Sequence, residues 1–252
     1  MKININFPQT WNDLTPRQLK RVCWLLHKNY KGKTLAFLLF FILIDVKWWQ
    51  FLMFFKVVII LFNVPLSEIN KNYNFIYVKT NLTTFIPKIK NWKAPQDMLS
   101  DITINELAHA DDAFLKYHST KNINYLKVLV AVLYRETGKY DIRLPFIKNE
   151  INARYKKLKN IDKKTLLAVM RSYQGCRFYI ENKFKRVFPK QKKTVKLNIN
   201  AKNKKITSRF SKIILELTGG KFGNYAETAS TNVYIFLADF ENKLRKQQKL
   251  TT

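Results

Sequence analysis

Residues 34–62 read TLAFLLFFILIDVKWWQFLMFFKVVIILF, and any fold of this chain has to dispose of that run. A bilayer span needs about 20 mostly apolar residues. Here Asp45, Lys47, Gln50 and Lys56 interrupt the run, and its longest uncharged piece, 34–44, has 11 residues. A charge at the centre of a bilayer is costly. The stretch is therefore read as two helices, roughly 33–45 and 47–62, packed in a core or a subunit interface. Trp48 and Trp49 beside Lys47 would also suit a bilayer surface, but integral membrane insertion is not expected.

The remaining patterning is helical. Thr15-Pro16-Arg17-Gln18 is a capping box with proline at the first helical position. Leu19, Val22, Cys23, Leu25 and Leu26 follow on one face. Thr103-Ile104-Asn105-Glu106 opens a second helix to about His118. A third runs from about Asn122 to Arg135, with Leu126, Leu129, Val130 and Leu133 inward. A short helix starts at Pro145. A longer one, capped by Asp162, reaches about Phe184. Thr207 and Thr231 open a last pair, with Gly219-Gly220 between them. Residues 1–7 alternate as a short strand would. Residues 72–92 hold NFIYV and LTTFI, which suit a small hairpin. The expected fold is mainly α: helical bundle-like units with a β-hairpin near 72–92. The expected domains are a helical core at 1–182, a basic linker or arm at 183–206 and a C-terminal helical pair at 207–252.

Charge comes next. The formal net charge is +29, from 46 Lys and Arg against 17 Asp and Glu. Such a surface attracts polyanions. Yet Lys outnumbers Arg by 36 to 10, and Asn and Ile each number 23. All three favoured residues have AT-rich codons, so compositional drift explains the excess without any function attached, and better than a polyanion partner does. Two local contrasts say more than the total. Residues 183–205 hold ten Lys or Arg and no acid. Residues 97–112 carry Asp97, Asp101, Glu106, Asp111 and Asp112 and no base. The helix start accounts for Glu106, but not for Asp111 and Asp112, which become candidates for contact with a basic partner. Lys190, Lys192, Lys193, Lys196, Lys202, Lys204 and Lys205 are the candidates for polyanion binding. Few aromatics accompany them, which favours backbone contact over base reading.

No catalytic constellation emerges. Cys23 and Cys176 sit in apolar helical patterns and read as core residues. Glu106, His109 and Asp112 share a helix face, but the matching second E-x-x-H of a di-iron site is missing, so a solvated acidic face is the plainer reading. Gly219-Gly220-Lys221 lacks the P-loop spacing. The chain is expected to be non-enzymatic, with no cofactor and no metal.

The order of motifs carries a resemblance. WNDLTPRQLKRVCWLL is followed by the apolar helical pair, then by DMLSDITINELAHADDAFLKYHSTKNINYLKVLVAVLYRE, then by YQGCRFYIENKF. A basic gap and FSKIILELTGGKFGNYAETASTNVYIFLADFENK complete it. This resembles uncharacterised helical proteins of phage and prophage tail gene clusters, similar to tail assembly chaperones, from which the chain departs in its basicity. The resemblance implies a non-enzymatic role in the cytoplasm of a bacterial host: binding the tape-measure protein, or another tail protein, and keeping its helices soluble. It would use Phe40, Phe41, Trp48, Trp49, Phe51, Phe54 and Phe55 as a groove for amphipathic helices, in a homo-oligomer or alone. The alternative is a basic nucleic-acid-binding protein acting through the phosphate backbone.

Overall fold

The computed structural model describes residues 7–44, 74–78, 81–189 and 222–250, together with Phe55, Ile59, Asn63, Pro65, Lys71 and Phe210. The expected strand at 1–7 (all but Phe7), nearly all of the helix at 47–62, the arm beyond 189 and the helix after Thr207 (save Phe210) lie outside the described residues. The chain clusters into two compact units, each made of two stretches. One holds 1–84 and 162–175, the other 85–161 and 176–252.

In the first unit, α1 (Pro16–His27) starts as its capping box requires. The Gln18 backbone N–H donates to Thr15 Oγ1, and the Thr15 N–H donates to Gln18 Oε1. The same Gln18 then donates from Nε2 to the carbonyl of Leu43 at 2.7 Å. That carbonyl ends α2 (Gly32–Ile44), so one buried amide satisfies the ends of two helices. Leu35, Ala36, Leu39, Phe40 and Leu43 are buried on α2. Among the described residues no helix is long and apolar enough to cross a membrane.

Trp11 is fully buried, and its indole N–H donates to the Phe75 carbonyl at 2.9 Å. Phe75 lies on α3 (Asn74–Tyr77). NFIYV is thus helical where a strand was expected: Ile76 packs inward and Tyr77 stays exposed, an order that four residues of β-branched and aromatic character cannot reveal. Cys23 is buried as expected, and desolvation pushes its thiol up to about 12.

In the second unit, β1 (Lys88–Ile89) and β2 (Trp92–Lys93) pair antiparallel. The expected hairpin exists, at the end of the 72–92 stretch and beyond NFIYV and LTTFI. Thr103 caps α4 (Ile104–Thr120) through the Glu106 N–H. A left-handed Lys121 ends it and turns the chain into α5 (Asn124–Leu133). Leu126, Leu129, Val130 and Leu133 are all fully buried, as their spacing requires. The helix expected from Pro145 begins later, as a 3-10 turn at Lys148–Glu150 leading into α6 (Ile151–Lys157). Arg154 on α6 donates from Nε to the Ala131 carbonyl at 2.7 Å.

A long helix, α7 (Lys163–Lys183), runs from the first unit into the second. Asp162 caps it by accepting from the Thr165 N–H and hydroxyl. The unforeseen α8 (Tyr225–Ser230) carries its own capping box from Asn224 and Glu227. The last helix, α9 (Val233–Leu250), is tied to the start of α4 by the Ile104 N–H to the Thr231 carbonyl and the Val233 N–H to the Ile102 carbonyl.

Gly175 explains a glycine in mid-helix. A Cβ there would overlap the backbone of Leu82. In open space, Gly→Ala in a helix stabilises by roughly 0.5–1 kcal/mol. Gly175→Ala is instead expected to destabilise by about 1–3 kcal/mol, as read by urea unfolding.

Candidate functional site

Glu106 is 0% exposed. Its backbone N–H completes the cap of α4, but its carboxylate does not reach back as the capping pattern suggested. Oε2 accepts from Arg135 Nη2 at 2.8 Å and Oε1 accepts from Arg143 Nη1 at 2.9 Å. Arg143 also forks onto Asp101, with Nε to Oδ2 at 3.0 Å, and donates from Nη1 to the Leu133 carbonyl at 2.6 Å. The expected solvated acidic face is therefore a buried charge cluster at this position. Desolvation raises the Glu106 carboxyl to about 7, against the pull of Arg143 and Arg135. Burial also lowers the Arg135 guanidinium to about 10, with Glu106 opposing. A charge in such surroundings is tolerable only when paired.

The two arginines bracket a finger. Lys93 and Arg135 exchange backbone hydrogen bonds, which join the finger to β2. The Leu144 N–H donates to the Glu136 carbonyl and the Gly138 N–H to the Ile142 carbonyl, closing a narrow loop. At its tip Tyr140 and Asp141 have φ of 60° and 54°, a left-handed pair that bulky residues adopt at a cost. Lys93 holds that tip by donating from Nζ to the Asp141 carbonyl at 2.6 Å and to Oδ2 at 2.8 Å. Lys88 lies 3.5 Å from the other carboxylate oxygen. Together they hold the Asp141 carboxyl below its ordinary value, the Lys93 hydrogen bond contributing most. Tyr140 is 93% exposed and Ile142 65%.

Between the finger, the start of α4 and α8 lies a cavity of about 810 Å³, with Leu144, Phe146 and Tyr225 among its apolar walls. Three cations (Lys93, Arg135, Arg143) and three carboxylates (Asp101, Glu106, Asp141) line it. Each has a partner in the opposite set. Arg135 Nε is left without an acceptor among the described residues. Among those residues no group of His, Cys, Asp and Glu is placed to hold a metal ion.

The expected contact residues fall elsewhere. Phe40 is 2% exposed and stacks inside the first unit against Phe7, with ring centroids 5.7 Å apart, so it offers nothing to a partner. Phe41 is half-buried and Phe55 is exposed. Asp111 is 0% exposed and ion-paired at 2.6 Å with Arg177 Nε. The basic partner inferred for it is thus a neighbouring side chain on α7. Asp112 is half-buried. Trp48, Trp49, Phe51, Phe54 and the seven arm lysines lie outside the described residues. The finger carried a weak sequence signal, since Gly138 and Asp141 suit a turn but one of its two left-handed positions falls on Tyr140. Comparison with protein-family models, with curated proteins and with solved structures returned no match.

The charge cluster makes stability depend on pH. With its carboxyl raised from 4.5 to about 7, the folded protein holds an extra proton between those values, and the stability due to that proton is lost as pH rises through about 7. Wild type should therefore lose ground to Glu106→Gln as pH climbs from about 4.5 to 7, in paired urea titrations. A constant gap between the two would contradict the assignment. Glu106→Ala, which strands the Arg135 guanidinium and leaves Arg143 only Asp101, should cost about 3–5 kcal/mol at neutral pH.

Proposed function

We propose that this chain is a non-enzymatic interaction protein that docks a helical protein partner on the finger and cavity of its second unit. The exposed finger carries the reading. Water is a poor environment for Tyr140, Ile142 and Leu144, and monomeric proteins seldom hold such residues out together on an anchored loop. Tyr225 and Ile147 extend the apolar character nearby. An aromatic anchor beside a pocket is the usual centre of a binding surface.

The charges of the cavity favour the same reading. Because the lining cations and carboxylates neutralise one another, an apolar partner can cover them without stranding a lone charge. The unpartnered Arg135 Nε offers one donor to an oxygen of that partner. An amphipathic helix, with apolar residues for the finger and a polar edge for Arg135, meets these demands. In the light of the resemblance to tail assembly chaperones, the partner would be a tape-measure or other tail protein met in the cytoplasm of a bacterial host.

Co-expression with the products of the adjacent genes, followed by gel filtration, tests the proposal. A complex is expected, and Tyr140→Ala with Ile142→Ser should weaken it at least ten-fold while leaving the unfolding free energy within about 0.5 kcal/mol of wild type, as befits exposed residues. Absence of any complex, or one indifferent to both substitutions, would contradict it.

A further inference from the structure

We infer that the first unit carries a separate site for single-stranded nucleic acid, centred on Trp24 and the lysines that ring it. Lys28 Nζ stands 4.9 Å from the Trp24 ring centroid, Lys163 Nζ 5.8 Å and Lys164 Nζ 6.0 Å. The His27 ring lies 6.0 Å away, tilted by 31°. Among the described residues none of the three ammonium groups has an ion-pair partner. The nearest acid in sequence, Asp162, is engaged as the cap of α7.

The arrangement follows from helical spacing. Arg17, Arg21, Trp24 and Lys28 succeed one another at four, three and four residues, a single stripe along α1. It lies opposite the buried Leu19, Val22 and Cys23. The first turn of α7 adds Lys163 and Lys164. Cations there are badly placed for the protein's own sake, because a helix N-terminus is already positive. Three like charges gathered on one ring at the positive end of a helix, answered only by the capping carboxylate of Asp162, favour a bound polyanion. Residues 1–84 and 162–175 hold 14 Lys or Arg and four Asp or Glu, so the unit is basic like the rest of the chain. The lysines around Trp24 contrast with the second unit's cluster, where each cation has a carboxylate.

The chemistry favours single strands over other anions. Phosphates fit the lysines, and the partly exposed indole gives an unpaired base a surface to stack on, which a duplex withholds. A bilayer fits poorly, because Val22, Cys23 and Leu25 of α1 are turned into the core and the stripe exposes no aliphatic side chain to enter lipid. The site is independent of the docking surface proposed above.

Fluorescence anisotropy of the full chain with a labelled oligothymidylate of about 15 nucleotides, at salt from about 50 to 200 mM, tests the inference. Binding that falls steeply with salt is expected. Lys28→Gln, Lys163→Gln and Lys164→Gln together should reduce the log–log salt slope by about 2, at roughly 0.7 per lost phosphate contact. Trp24→Leu, which keeps an apolar side chain but not the stacking surface, should weaken binding at least five-fold. Circular dichroism confirms that each variant folds. No binding at the lowest salt would overturn the inference. So would equal affinity for duplex and single strand in wild type and Trp24→Leu alike. A salt slope that moves only when Lys190, Lys192, Lys193 and Lys196 are replaced would also overturn it, as would binding displaced more readily by anionic vesicles or oligoglutamate than by unlabelled oligothymidylate.

Discussion

A carboxylate removed from water has to be answered by cations, and Glu106 is answered by two. Arg135 and Arg143 reach it from the two sides of the finger, and Arg143 continues to Asp101 and to the end of α5. The start of α4, the end of α5 and the base of the finger are thereby joined through one side chain. Removing Glu106 leaves Arg135 buried without a carboxylate, and removing Arg143 takes one of two cations from Glu106 and the partner of Asp101, which is why such clusters behave as a unit. The display of Tyr140 depends on this arrangement. Lys88 and Lys93 fix the tip, but the base is fixed from inside.

Basic residues divide by role. Arg135, Arg143, Arg154 and Arg177 pair with carboxylates at largely buried positions, where a planar fork and a fixed charge are useful. Among the described residues no lysine is buried. A net charge of +29 therefore mixes two populations. The acidic island at 97–112 belongs to the first: Asp101, Glu106 and Asp111 neutralise interior arginines. The lysines around Trp24 belong to the second, and among the described residues none of them has an ion-pair partner.

Local order was legible. Capping residues at Thr15, Thr103 and Asp162 mark real helix starts, and the apolar spacing of 126–133 marks a real buried face. These signals reach no further than one helical turn. The helical turn at Asn74–Tyr77 defeats them because its residues favour strands and only packing on Trp11 decides otherwise. The partners of Glu106 lie 29 and 37 residues away, beyond any periodicity. The finger tip is left-handed at Tyr140 as well as at Asp141, and a tyrosine there gives no sign of the turn. What eluded the sequence was the long-range pairing of charges, and that pairing builds the candidate site.

Native-state hydrogen exchange on Arg143→Leu tests most directly whether the buried cluster holds the finger. The amides of Gly138 and Leu144 donate within the finger, and their protection reports its closure. The account predicts that both lose protection while the amides in the middle of α5 keep theirs. Unchanged protection at Gly138 and Leu144 would mean that the finger stands without the cluster, and would contradict it.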